Sequence, residues 1–228
     1  MVKFFQIGYN KTATTAIHAA FIDSGYKTLH SSGAYYRKAG DERFFETERH
    51  PQDIIFNNIV AGRDPIAGFE DFDAFVDMES PITNTGVRVE NFKLYDRIYA
   101  ARPDSLFLLN IRDKRAWLRS RALHANGRYL KVTGRKWKMP HEEVLKTWSR
   151  EYDHHNAAVK EFFAGKDARF MVFDTDTDPA EKLFAFLRPE FEIKEETWQP
   201  LRVTKRVSEK RNWDAEIAED LLDKAMAA

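Results

Sequence analysis

No cysteine occurs among the 228 residues, which excludes disulfides, thiolate metal sites and cysteine nucleophiles and makes the chain indifferent to redox compartment. An excess of charge of one sign is missing too: 36 Lys and Arg balance 36 Asp and Glu. That balance removes the global field of a nucleic-acid binder, so any anion site has to be built from local clusters. Long apolar runs are also lacking. The longest, Ser105 to Ile111, falls far short of the roughly 20 residues that span a bilayer. The opening MVKFFQIGYNK carries neither the apolar stretch nor the cleavage site of a signal peptide, and a cytoplasmic protein is expected. The length suits one domain, residues 1–228, with a sizeable core. Repeats and low-complexity tracts are absent.

What is present is an alternation of short apolar strands with helical patterns. Lys3 to Ile7 reads as a strand bounded by Gly8. Thr14 to Ser24 reads as a helix with Ala16, Ile17, Ala20 and Phe21 on one face, closed by Gly25. Tyr26 to His30 suits a second strand, Pro51 to Ala61 a helix before Gly62, and Phe72 to Met78 either a helix end or a strand. Val89 to Ala101 reads as a helix, Ser105 to Ile111 as a buried strand, Arg115 to Ala125 and His141 to Ala164 as helices, Ala168 to Phe173 as a strand and Pro179 to Leu187 as a helix. Asn126 to Pro140 and Glu192 to Asp214 read as long polar connections, a length often associated with lids or binding segments. The alternation predicts a three-layer α/β/α domain around a parallel sheet. Ligands of such sheets bind outside the carboxyl ends of the strands.

Two strand-to-helix junctions carry chemistry. The first is Gly8-Tyr9-Asn10-Lys11-Thr12-Ala13-Thr14-Thr15, a loop between strand and helix whose N–H groups suit an anion at a helix N-terminus. Lys11 adds charge and the threonines add hydroxyls. The order is not that of the nucleoside-triphosphatase loop G-x-x-x-x-G-K-[ST], because the lysine precedes the turn. The second junction is the strand ending in Arg112, followed eight residues later by Ser120 in a helix. A guanidinium binds phosphate oxygens through two parallel charge-assisted hydrogen bonds, and a hydroxyl completes the shell.

Lys11-Thr12-Ala13-Thr14-Thr15 resembles the 5′-phosphosulfate loop of the PAPS-dependent sulfotransferases, Lys-(Ser/Thr)-Gly-Thr-Thr. Arg112 and Ser120 resemble the family's 3′-phosphate motif. The likeness extends through Trp117-Leu118, the helix Trp148 to Phe163 and the strand Arg169 to Asp174, which look like the bacterial branch of the family, and is weakest over Thr28 to Gly86. It implies a P-loop-like sulfotransferase fold and transfer of a sulfuryl group from 3′-phosphoadenosine 5′-phosphosulfate (PAPS) to a hydroxyl or amine, with adenosine 3′,5′-bisphosphate (PAP) as product and no metal. Lys11, Thr12, Ala13, Thr14, Thr15, Arg112 and Ser120 would then hold the donor, and Lys11 would meet the charge on the leaving oxygen. Ala13 replaces the family's glycine, so either the turn is right-handed here or Ala13 adopts a geometry that glycine enters more readily.

The family's base is a histidine or a carboxylate after a mid-chain strand. The matching segment, Phe75 to Pro81, has no histidine and offers Asp77 or Glu79. His18 and His124 read as polar helix-face residues. His154 and His155 diverge by roughly 100° on a helix, which is poor geometry for a shared metal. Lys205 and Arg206, in a basic stretch near the C-terminus, match the place of a family loop that folds over the donor, although its glycines are absent. Basic residues of the 128–138 segment are solvated loop charges on this reading. The residues do not identify the acceptor, which on this resemblance would be a small molecule, a lipid or a carbohydrate. Tyr35, Tyr36, Phe44 and Phe45 either line its pocket or belong to the core. A P-loop kinase of a small molecule and a catalytically inactive nucleotide-binding homologue are the alternatives.

Overall fold

The computed structural model describes residues 1–31, 50–80, 88–198 and 212–226. Its described residues form two compact packing units, residues 1–111 with 159–201 and residues 112–158 with 202–228.

The first unit holds the sheet. Strands β1 (Phe4–Gln6), β2 (Thr28–His30), β3 (Ala74–Val76), β6 (Leu106–Ile111) and β7 (Phe170–Asp174) run in the order β2-β3-β1-β6-β7, and every pair is parallel. Strands β4 (Glu79–Ser80) and β5 (Val89–Glu90) make a separate antiparallel pair. Chain order leaves β1 toward β3 and β2 on one side and reaches β6 and β7 on the other. The switch point therefore lies between the carboxyl ends of β1 and β6, where open α/β sheets bind their ligands.

Both faces of the sheet are covered, as near-continuous apolar strands require. On one face Phe4, Val76, Leu106 and Leu108 pack against Ile17, Ala20 and Phe21 of α1 (Thr14–Asp23). Leu183, Phe184 and Leu187 of a later helix, Ala180–Leu187, join the same cluster. The other face is a ladder of rings. Phe5 stacks between its register partners Phe75 and Phe107, at centroid distances of 5.2 and 5.5 Å. Phe163 lies over Phe107 and stacks on Phe170 at 4.3 Å, and Tyr99 meets Phe107 edge-on. Each such pair adds about 0.5–1.5 kcal/mol beyond its area, so strand register here is strongly specified.

Helix α2 is Pro51–Val60 and α3 is Tyr95–Ala101. The segment read from sequence as one helix, Val89 to Ala101, is instead strand β5, a 3-10 turn over Asn91–Leu94 and then α3. Pairing of Val89 with Ser80 and Glu90 with Glu79 overrides the local helical pattern.

The second unit contains α4 (Lys114–Ala122), α5 (Arg128–Trp137), most of α6 (His141–Phe163) and, after the helix Ala180–Leu187 of the first unit (α7), α8 (Asn212–Met226). The connection expected over Asn126 to Pro140 is thus largely helical. Lys and Arg are good helix formers, and Leu130, Thr133 and Gly134 are the buried positions of α5. Arg121 is fully buried. Its guanidinium carbon sits 5.1, 5.4 and 4.8 Å from the ring centroids of Trp117, Tyr129 and Trp148, a cation–π box. Arg115 and Arg119 of α4 ion-pair with Glu219 of α8. Among the described residues no helix is long and apolar enough to cross a membrane.

Candidate active site

The loop after β1 is built from a buried amide network. Gln6, Thr12 and Asn110 are each completely buried. Gln6 Nε2 donates to Gly8 O at 2.6 Å and to Asn110 Oδ1 at 2.5 Å, while Gln6 Oε1 accepts from Asp77 N at 2.8 Å. Asn110 Nδ2 donates to Thr12 O at 2.5 Å and to Thr12 Oγ1 at 2.6 Å, and the Thr12 hydroxyl in turn donates to Tyr9 O. The loop is therefore tied to β6 on one side and to the exit of β3 on the other. Removing one partner from such a chain strands a buried polar group at a cost of about 1–3 kcal/mol.

Two non-glycine residues in this loop are left-handed: Lys11 at φ 66° and Ala13 at φ 63°. The right-handed alternative for Ala13 does not hold, and alanine sits in the conformation that glycine enters freely. Ala13 is also the N-cap of α1, and no side chain caps that helix. The N–H groups of a helix's first turn have no partner within the helix, so an uncapped start suits an anion. The hydroxyl of Thr12 is engaged inside the loop, whereas Lys11 and Thr15 are half-buried.

Beside this loop stands a polar cluster. Asp77 follows β3 in a left-handed conformation at φ 53°. His30, the last residue of β2, places Nε2 3.6 Å from Asp77 Oδ2. His18 of α1 packs its ring on His30 at 5.0 Å between centroids. His18 is a buried residue and not the polar helix-face residue read from sequence. Burial, with His30 as a further cause, pushes its pKa down to about 3, so it stays neutral at ordinary pH. Glu79 is also buried. Its carboxylate accepts from Asn10 Nδ2 in the loop and lies 3.6 Å from Arg88 Nη2, which also pairs with Glu90.

His30 escaped sequence reading. The only signal was its place as the final residue of a predicted parallel strand, where such sheets position ligands.

Arg112 and Ser120 belong to the second unit and are both half-buried. The Tyr152 hydroxyl accepts from Arg112 N at 3.0 Å and donates to Arg112 O at 2.8 Å, and the Tyr152 ring stacks on Trp117 at 4.3 Å. Asp113 caps α4 through Ala116 N at 2.7 Å. The backbone on both sides of the Arg112 side chain is therefore fixed. His124 and His154 are exposed and His155 is buried. The described residues contain no group of three or more His, Asp or Glu arranged to hold a metal. Lys205 and Arg206, like Tyr35, Tyr36, Phe44, Phe45 and Pro81, lie outside the described residues.

The carboxyl edge of this sheet thus offers a cationic loop with an uncapped helix start, next to carboxylates and imidazoles. No curated protein matches the chain. Residues 3–170 match the family described as the sulfotransferase domain, a span that contains the β1 loop, the β3 exit, Arg112 and Ser120, and the chain belongs to that family.

Proposed function

We propose that the protein transfers the sulfuryl group of PAPS to a hydroxyl or amine of a small-molecule, lipid or carbohydrate acceptor, releasing PAP. The observation that carries this reading is the β1 loop, in which a half-buried Lys11 and an uncapped helix N-terminus stand together on a rigid buried amide network. Such donors stabilise charge that develops on an oxygen without reorganising during the reaction.

The roles divide as follows. N–H groups of Thr12 to Thr15 and the Lys11 ammonium hold the phosphosulfate, and Lys11 meets the negative charge that grows on the bridging oxygen as the sulfur–oxygen bond breaks. Arg112 and Ser120 take the 3′-phosphate, with Lys205 and Arg206 as further donor contacts. The acceptor gives up its proton at the exit of β3, where Asp77 and Glu79 are the candidate carboxylates. Glu79 is held by Arg88 and Asn10, and Asp77 stands beside the imidazole of His30. One domain, residues 1–228, carries the whole activity on this reading, in the cytoplasm.

The test is transfer of labelled sulfate from PAPS to a panel of phenols, sugars and lipids, with and without EDTA. Transfer that persists in EDTA is the expected outcome. Transfer abolished by EDTA and restored by magnesium, or phosphate transfer from ATP, would favour a kinase.

A further inference from the structure

We propose that His30 is the general base that takes the acceptor's proton and that Asp77 positions it, a refinement that rests on the sulfuryl-transfer reading above. Three observations converge on this pair.

The first is place. His30 pairs with Val76 across β2 and β3, and Phe75 pairs with Phe5 across β3 and β1. His30 therefore ends its strand level with the residue after Phe5, namely Gln6, two strands away. Adjacent strands are about 4.8 Å apart, which sets His30 roughly 10 Å from the root of the Lys11 loop, along the edge where ligands of such sheets bind.

The second is company. From α1 the ring of His30 is faced by His18, and from the exit of β3 by Asp77. His18 lies four residues, about one helical turn, beyond Thr14, where α1 begins. The imidazole pair thus sits about one turn from the helix start that is proposed to hold the phosphosulfate. His18 is held neutral by burial, and of the two rings His30 is the one with a carboxylate beside it.

The third is rigidity. The left-handed backbone of Asp77 is pinned through its N–H by Gln6 Oε1, and the other end of that amide holds Gly8 O. One buried side chain therefore sets both the carboxylate and the loop. A carboxylate beside an imidazole orients the ring and stabilises its cation; it does not itself take the proton.

The step balances. The acceptor O–H bond breaks and its proton passes to His30. The acceptor oxygen forms the new bond to sulfur as the bond from sulfur to the phosphate oxygen breaks, and that electron pair leaves with PAP, opposite Lys11. The imidazolium, paired with Asp77, then returns its proton to water.

The experiment combines PAP calorimetry with PAP release from PAPS, using 2-naphthol as probe acceptor and water in its absence. His30→Gln should bind PAP within about twofold of wild type yet release it at least 100-fold more slowly, the range of a general base. Wild-type turnover should fall about tenfold per pH unit on the acid side, and that slope should vanish in His30→Gln. In Asp77→Asn the His30 ring resonance should titrate at lower pH. If His30→Gln does not fold, the wild-type slope and the Asp77→Asn titration decide. Wild-type turnover in His30→Gln, a wild-type rate without the acid slope, or an unmoved His30 titration in Asp77→Asn would overturn the proposal. Failure of the wild type to bind PAP would instead overturn the donor reading.

Discussion

Gly8 lies so close to Asn110 that a Cβ on it would collide with both the carbonyl and the side-chain oxygen of that residue. The contact lets β1 and β6 approach where the sheet changes direction and brings Asn110 Nδ2 onto Thr12. Gly8→Ala should destabilise the protein by about 1–3 kcal/mol, the range for overpacking. For a chain of this size that is a fall in Tm of roughly 2–4 °C per kcal/mol. Calorimetric melting checks it, and an unchanged Tm would mean that the two strands can part without loss.

Ala13 gives the opposite expectation. Its φ of 63° carries strain of about 1 kcal/mol that glycine does not have, partly offset by glycine's greater freedom in the unfolded chain. Ala13→Gly should leave stability unchanged or raise it by up to about 1 kcal/mol, while Ala13→Val, β-branched and ill suited to this region, should lower it. Urea unfolding of the three proteins gives the order directly.

His18 ties stability to pH. Its pKa is pushed down to about 3 in the folded chain, against 6.5 for an ordinary histidine. Between these values the unfolded chain binds the extra proton, so stability is complete above about pH 6.5 and falls as pH drops toward 3, by about 1.4 kcal/mol per unit. Between pH 6.5 and 5 the wild type should lose more stability than His18→Leu, by roughly 1–2 kcal/mol. Parallel pH curves for the two proteins would refute this.

Lys11 and Arg112 should separate turnover from binding. The interaction of Lys11 strengthens as charge grows on the bridging oxygen, so Lys11→Ala should cut turnover more than donor affinity. Arg112 acts far from the breaking bond, and Arg112→Ala should weaken donor binding by about 2–3 kcal/mol while saturating donor restores the rate. Full turnover by Lys11→Ala at saturating donor would remove the loop from catalysis.

Much of this was legible from residues alone, for identifiable reasons. The β1 loop and the junction at Arg112 are local: a short apolar run, a turn and a helical period sit next to each other in the chain, so α1 begins at Thr14 as read. The handedness of Ala13 could not be read, because the loop around it is tied through Gly8 and Thr12 to Asn110, about 100 residues away, and local residue types carry no mark of that tie. His30 was hidden for the same reason. A three-residue strand has no period to read, and the His30–Asp77 pair exists only through the β2–β3 register. Charge also misled. The basic residues of α5 resembled a solvated loop, and the full burial of Arg121 among three aromatic rings carries no local mark.

On this reading the donor is a nucleotide recognised by its 3′-phosphate. Calorimetric titration with PAP, ADP and ATP tests it without any acceptor. PAP should bind at least tenfold more tightly than ADP or ATP, and Arg112→Ala should abolish that preference while leaving ADP affinity nearly unchanged; equal affinities of the wild type for PAP and ADP would contradict the account.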